Sequence, residues 1–176
     1  MVSTKHTLLA LVSDRPGVLT RMASLFRRRG FNIESLAVGH SELPNFSRMT
    51  IVVSGPAAMV EQVRKQVSKI VDVVKVTDVT EERITVRELA LIKVNANADT
   101  RSKIIEIVDI FRAGIVDVAA ESLTIEIAGD GEKIDSLINL LRGFGIKEVN
   151  RTGSIAMTRG GTGPISAEEK TGRVPT

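Results

Sequence analysis

The chain of 176 residues contains no cysteine, which excludes disulfides, thiolate metal sites and a cysteine nucleophile. It also has no tryptophan, no tyrosine and only five phenylalanines, so it has few flat side chains on which nucleobases or aromatic cofactors could stack. Its two histidines, His6 and His40, lie on different predicted strands. A zinc site needs three or four ligands, so we expect no metal site and treat both histidines as incidental.

Long apolar runs are also missing. No segment approaches the ~20 residues that a membrane-spanning helix requires, and the first residues show no signal or transit pattern. We therefore expect a cytoplasmic protein with no membrane contact. The net charge of +3 is too small to indicate nucleic acid by itself, and a composition of 43% hydrophobic and 26% charged residues is typical of a globular protein.

The first half of the chain predicts the order β-α-β-β-α-β. Apolar runs and turn residues indicate strands over residues 5–12, 31–40, 46–54 and 71–79. Pro16 suits the first position of the first helix, and Gly30 suits a left-handed stop at its end. The second helix is expected to start at Ser54–Pro56. The apolar residues expected on the inner helix faces are Val18, Leu19, Met22, Leu25 and Phe26, then Val60, Val63, Val67 and Ile70.

The same order recurs in the second half, with strands predicted over residues 84–94, 115–119, 122–128 and 146–157. Asp99 or Thr100 can cap the third helix, Gly114 can stop it, and Asp130 can cap the fourth. The inner faces expected here carry Ile104, Ile105, Ile107, Val108 and Phe111, then Ile134, Leu137, Ile138 and Leu141.

The predicted fold class is therefore α+β: two tandem ferredoxin-like βαββαβ domains, each an antiparallel sheet with two helices on one face. The domains are expected over residues 1–79 and 84–159, with a linker over 80–83 and a disordered tail over 160–176. Each domain of about 75–80 residues is only marginally stable alone. We therefore expect a second copy or a partner to cover the open face of a sheet.

No residues show the spacing of an active site, so no catalytic residue is predicted. The glycine motifs that cradle dinucleotides or nucleotide triphosphates are absent. The basic run Arg27-Arg28-Arg29 is explained by favourable charge at a helix C-terminus, worth ~0.3–1 kcal/mol each. RNA binding is a less favoured alternative, because RNA-recognition modules of this fold use aromatic residues on their central strands and only Phe46 lies near that position.

The turn Ser13-Asp14-Arg15-Pro16-Gly17 is the main candidate site. Backbone N–H groups from Gly17 to Leu19 at a helix start attract a small anion such as a carboxylate, and Gly17 lets a ligand approach the backbone. Asp14 can cap the helix or accept from a ligand ammonium group. An α-amino acid carries both charges. The alternative is a plain capped helix start, and the turn alone favours this alternative over an amino-acid site.

Three longer motifs carry a family resemblance. Asp14–Leu19 resembles the D-x-P-G-x-L signature of ACT domains, which are small amino-acid-sensing βαββαβ modules. The strings RGFNIESL (residues 29–36) and SRMTI (47–51) resemble the small regulatory subunits of acetohydroxyacid synthase, also called acetolactate synthase. Val86–Leu89 and Asp109–Ala113 fit the second domain of that family, so the resemblance covers roughly residues 5–158.

This resemblance implies a non-catalytic subunit that activates a large catalytic subunit and confers feedback inhibition by valine in valine, leucine and isoleucine biosynthesis. Thiamine diphosphate, magnesium and FAD would belong to the catalytic partner, with no cofactor in this chain. It also implies a homodimer through the ACT domains, with valine at their interface and Asn32 contributed by the neighbouring chain. The implied valine-binding residues are Asp14, Gly17, Val18, Leu19, Asn32 and Ile33.

Two points stay open at this stage. Leu11 and Val38 are further candidates for the valine pocket, and the loop from His40 to Phe46 has no residue-by-residue counterpart in the family pattern. A free-standing ACT-type sensor with another client protein is the alternative function, ahead of an RNA-binding module.

Overall fold

The structure is a computed structural model that describes residues 5–161. The chain divides into two units: residues up to Thr85 together with those from Ile155 onward, and residues Val86–Ser154. Both contain an antiparallel sheet with two helices, so the predicted α+β class with two ferredoxin-like βαββαβ repeats is confirmed. The predicted tail lies, from residue 162 onward, outside the described residues.

The first unit contains the strand order β2-β3-β1-β4, with β1 and β3 in the centre and β2 at one edge. Its elements are β1 (Lys5–Ser13), α1 (Val18–Arg28), β2 (Ile33–His40), β3 (Phe46–Ser54), α2 (Ala57–Val67) and β4 (Val73–Asp78). The register of β1 on β3 runs from Lys5 opposite Ser54 to Ser13 opposite Phe46. The two ends of this sheet are therefore defined by those two residue pairs.

The core of the first unit lies between the sheet and its two helices. Alternate residues of the central strands face the helices, because successive side chains of a strand point to opposite faces. Each such side chain stabilises the fold by roughly 1.5–3 kcal/mol on burial. The main buried residues are Leu8, Val12, Met49, Ile51, Val53, Val18, Met22, Phe26, Val60, Val63 and Val67. Leu19, predicted to be internal, is about half exposed, because it lies at the border of the apolar stripe of α1.

The start of α1 differs from the prediction. Pro16 lies in the preceding turn rather than at the first helical position, and Gly17 is the N-cap with φ 91°. This left-handed conformation is incompatible with a helical residue, so the helix begins only at Val18. At the other end Gly30 has φ 70°, as predicted for a left-handed stop.

The second unit repeats the architecture with strand order β6-β7-β5-β8. Its elements are β5 (Ile84–Asn95), α3 (Arg101–Ile110), β6 (Gly114–Ala119), β7 (Ser122–Gly129), α4 (Gly131–Leu141), a 3-10 turn (Arg142–Phe144) and β8 (Ile146–Arg151), with the first two residues of β5 assigned to the first unit. Its core combines alternate residues of β5 and β7 with the inner faces of α3 and α4. These residues are Ala90, Ile92, Val94, Leu123, Ile125, Ile127, Ile104, Val108, Ile134, Leu137 and Leu141.

Helix boundaries in this unit match the prediction only in part. Asp130 caps α4 as predicted, because its Oδ1 accepts from the backbone N–H of Lys133 at 2.9 Å. Thr100 is the N-cap of α3 but makes no side-chain cap, and Asn97 Oδ1 accepts from the Thr100 N–H at 3.0 Å instead. Gly114 does not stop α3, since Arg112 takes the left-handed conformation, with φ 51°, before β6 begins.

The strand predicted over residues 146–157 is divided. β8 ends at Arg151, and β9 (Ile155–Thr158) follows after Gly153, whose φ of 79° breaks the extended backbone. β9 belongs to the first unit, where the Ala156 N–H donates to Thr50 Oγ1 at 3.2 Å. This bond satisfies a hydroxyl on β3 that is buried.

A cross-strand ion pair ties β5 to β8. Arg151 donates from Nε and Nη2 to the two oxygens of Glu88 at 2.7 and 2.9 Å, and this bidentate contact raises the pKa of Arg151 above its ordinary value. Glu88 is only 7% exposed. We expect Glu88→Ala to lower the free energy of unfolding by about 2 kcal/mol, as for other hydrogen bonds to charged groups.

Asp135 supplies the matched control for this prediction. It also accepts from Arg151, at 2.6 Å, but from an exposed position. Asp135→Ala should therefore cost less than about 1 kcal/mol in the same urea denaturation experiment. Equal losses for the two variants would contradict the role assigned to burial of Glu88.

Candidate functional site

The turn between β1 and α1 presents backbone N–H groups at its surface. Gly17 is the N-cap, and no side chain caps α1. Because the first N–H groups of an α-helix have no partner within the helix, the start of α1 offers donors and a partial positive charge to an anion. The turn itself is held by neighbouring backbone, since the Asp14 N–H donates to the carbonyl of Asn45 at 2.8 Å.

Gly17 leaves this end of the helix open. A Cβ added there would meet no atom within 4 Å. Val18 is buried in the core, so its contribution to a ligand is limited to its backbone, whereas Leu19 is partly exposed beside it. The single chain therefore has the space and the donors for a carboxylate at Gly17.

The sequence left two roles open for Asp14: capping α1 or accepting from a ligand ammonium group. Its carboxylate does not cap α1; instead Oδ2 lies 3.1 Å from Nδ1 of His40. The Asp14 side chain is 45% exposed and that of His40 is 87% exposed. The carboxylate thus faces solvent beside the open N–H groups of α1, where it can accept from an ammonium group.

His40 is the residue of this site that sequence reasoning missed. It is the last residue of β2 and lies opposite Ser47, at the same end of the sheet as Ser13 opposite Phe46. The pairing of three strands therefore brings His40 to Asp14. No spacing in the sequence signals this contact, because the two residues are 26 positions apart and β2, which ends at His40, is not a neighbour of β1, which Asp14 follows.

The loop after His40 is fixed by two sets of bonds. Ser41 Oγ accepts from the Leu43 N–H at 3.1 Å and donates to the Phe46 carbonyl at 2.9 Å. Arg48 forms a bidentate contact with Glu42, and this hydrogen bonding lowers the pKa of Glu42 to about 2. The loop that borders Asp14 is therefore held at neutral pH by Ser41 within it and by the pairing of its Glu42 with Arg48 on β3.

The remaining predicted site residues lie elsewhere in the single chain. Asn32 immediately precedes β2, at the end of the sheet where Lys5 pairs with Ser54. The Gly17 turn follows Ser13, at the other end of β1. Lys5 and Ser13 are eight residues apart, which at about 3.3 Å per residue is about 26 Å along the strand. Ile33 packs against the core, and Leu11 is buried. A single chain therefore does not bring Asn32 to Gly17.

Residues 5–161 contain neither a cluster of metal-ligating side chains nor a membrane-spanning helix. No three His, Asp or Glu side chains in this range stand together in a way that could hold a metal ion. None of the helices described is long and apolar enough to cross a membrane.

Comparison with known proteins matches both units to one family. Residues 8–75 match the family described as AHAS small subunit-like ACT domain, and residues 87–160 match the small subunit of acetolactate synthase. A relative from Archaeoglobus fulgidus, named "Probable acetolactate synthase small subunit", is 53% identical over 89% of this chain and 98% of its own length. The acetolactate synthase small subunit of Mycolicibacterium smegmatis is 52% identical over 90% of this chain and 93% of its own length.

The chain belongs to the acetolactate synthase small-subunit family. A solved structure agrees: the acetolactate synthase small subunit from Thermotoga maritima superposes with a TM-score of 0.83 at 43% identity, covering 90% of this chain and 99% of that one. The first unit of this small subunit is thus an ACT domain, as the D-x-P-G-x-L motif predicted. Membership of a small-subunit family implies that this chain has a catalytic partner subunit.

Proposed function

We propose that this small subunit activates the catalytic subunit of acetohydroxyacid synthase and confers feedback inhibition by valine. The observation that carries the proposal is the Gly17 turn, where an uncapped helix start stands beside a carboxylate that does not cap it. The valine carboxylate binds the N–H groups of Gly17, Val18 and Leu19. The valine ammonium group binds Asp14, in competition with His40.

The second half of the effector site comes from a second copy of the chain. β2 is an edge strand, and its Leu36 and Val38, on one face, are 39% and 43% exposed. Two identical edges related by a two-fold axis pair antiparallel, and this sets the start of one β2 beside the end of the other. Asn32 of the neighbouring chain then lies near His40 and the Gly17 turn.

Asn32 is suited to this position. Its amide supplies two donors and an acceptor, so it can bond both charged groups of a zwitterion and set its orientation. In the single chain its Nδ2 lies 3.4 Å from Oε1 of Glu34, a long contact that a better partner can replace. The proposed homodimer thus has two equivalent valine sites, each built from both chains.

Inhibition follows from linkage. Binding of the small subunit favours an active state of the catalytic subunit, and valine stabilises an arrangement of the two ACT domains that does not support that state. This requires valine to bind the two arrangements with different affinities. The thiamine diphosphate, magnesium and FAD of the reaction belong to the catalytic partner in this proposal, and the complex is cytoplasmic.

The test is acetolactate formation by the cognate catalytic subunit, with and without this protein, across a titration with valine. We expect stimulation that valine reverses, with leucine and isoleucine titrated in parallel as competing effectors. Stimulation that no valine concentration reverses would contradict the role of the Gly17 turn. A lack of stimulation, with valine binding retained in calorimetry, would favour a free-standing amino-acid sensor.

A further inference from the structure

A groove on the helix side of the first unit is not used by the proposed effector site. It has a volume of about 510 Å³ and runs along α1 to the segment between α2 and β4. The residues that line it are Thr20, Arg21, Ser24, Leu25, Arg28, Lys69, Ile70 and Val71. A smaller hollow of about 270 Å³ adjoins it through Leu25 and Arg28 and adds Arg29 and Gln66.

Part of the positive charge along the groove and the adjoining hollow has no acidic partner among the described residues. Arg21 is paired with Asp72, but Arg28, Arg29 and Lys69 form no ion pair in residues 5–161. The Arg28 side chain folds back along the helix and donates from Nε to the Ser24 carbonyl at 3.3 Å. Arg28 ends α1 and Lys69 follows Ser68, the C-cap of α2, so each cation complements a helix C-terminus, and the two helix ends bring both cations to one groove.

The groove also carries apolar surface. Leu25 and Ile70 line it, and Val71 is 90% exposed. Burial within the fold of this chain therefore does not account for a valine at this position, in the connection before β4. Cations beside apolar side chains complement a segment in which an apolar residue is flanked by carboxylates.

The groove shares a helix with the effector site. α1 begins at the Gly17 turn, where the Arg21 N–H donates to the Gly17 carbonyl at 3.0 Å, and the next two turns of α1 line the groove. A partner seated in the groove and a ligand at Gly17 therefore contact one rigid element. This is the physical connection that coupling between two sites requires.

We propose that this groove docks an acidic segment of the catalytic subunit that carries an apolar residue between its carboxylates. The proposal rests on the proposed function, since it takes the catalytic subunit as the partner. Of the basic run of α1 it assigns only Arg28 to binding between proteins, together with Lys69 as the second charged contact and Val71 as the apolar one.

The test is the affinity of the full-length protein for the catalytic subunit, measured by titrating the stimulation of acetolactate formation. The double variant Arg28→Glu/Lys69→Glu should bind at least about tenfold more weakly, because it opposes like charges across the interface. Val71→Ser should weaken binding about threefold through lost apolar burial. Raising the salt from about 50 to 300 mM should weaken wild-type binding more than that of the double variant.

Arg27→Glu is the matched control. It reverses an exposed charge at the same helix end, with the same effect on the helix dipole, but Arg27 does not line the groove. It should stay within about twofold of wild type. Valine binding by calorimetry and the circular dichroism melting curve verify that each variant is folded.

Three outcomes would overturn the proposal. Wild-type affinity in the double variant would remove the groove from the interface, as would an equal loss in Arg27→Glu. Loss of RNA affinity in the double variant, with catalytic-subunit affinity unchanged, would assign the groove to nucleic acid. A wild-type protein that does not stimulate the catalytic subunit would refute the proposed function itself, a result distinct from a defect limited to the groove variants.

Discussion

Gly17→Asp is expected to abolish valine inhibition while the complex remains activated by the small subunit. The substitution places a carboxylate in the open space in front of the α1 N–H groups, where the valine carboxylate is proposed to bind. The new side chain competes for those donors and repels the ligand. We expect the valine concentration for half-inhibition to rise by about a hundredfold or more, the loss of about 3 kcal/mol typical of an uncompensated charge in a binding site.

Two further variants separate charge from backbone strain. Gly17→Ala adds the strain of a side chain at φ 91°, about 1–2 kcal/mol, without the charge. It should shift half-inhibition far less than Gly17→Asp does. Gly160→Asp adds the same charge at another glycine of positive φ, 96°, with open space around it. The complex formed with Gly160→Asp should be inhibited by valine as strongly as the wild-type complex. Loss of the valine response in this variant would show that any added charge disturbs the regulation.

The framework of this fold could be predicted from the sequence because its signals are local. The alternation along β1 and β3 and the stripe of Val60, Val63 and Val67 each depend on residues within one element. Boundaries were less predictable where two residues compete for one role. Pro16 and Gly17 both suit a helix start, and Arg112 took the left-handed position expected for Gly114.

The candidate site could be predicted only as far as its motif extends. The Gly17 turn is contiguous in sequence, whereas the contact of Asp14 with His40 depends on the register of β2 on β3 and of β3 on β1. The choice between a capping and a non-capping Asp14 depends on the φ of Gly17, which delays the helix start by two residues, from Pro16 to Val18. Register and backbone conformation are set by the whole sheet, and no short motif encodes them.

The second large effect is expected for Asn32→Ala. Within one chain the sheet separates Asn32 from Gly17, so this effect also bears on which chain completes the site. Asn32→Ala alone should raise the valine concentration for half-inhibition by about tenfold or more, as expected when a buried ligand loses a polar partner. Activation should persist, since Asn32 is exposed and outside the core. This variant alone does not reveal which chain supplies the residue.

A mixed dimer does reveal it. When one chain carries Gly17→Asp and the other carries Asn32→Ala, a site built from both chains exists in two forms. One form combines both defects, and the other combines an intact Gly17 turn with an intact Asn32. Co-expressed with different affinity tags and purified over both, the mixed dimer should therefore regain valine binding at one of its two sites with wild-type affinity, although each parent dimer has lost it.

The opposite geometry predicts the opposite result. If Gly17 and Asn32 of the same chain served one ligand, every site of the mixed dimer would carry one defect, and valine binding would stay as weak as in the parents. Calorimetry of the mixed dimer without the catalytic subunit distinguishes the two cases by stoichiometry. Recovery of one strong site per dimer would establish that each site combines Gly17 of one chain with Asn32 of its partner, as the proposed pairing of β2 requires for two residues about 26 Å apart along the strand in a single chain.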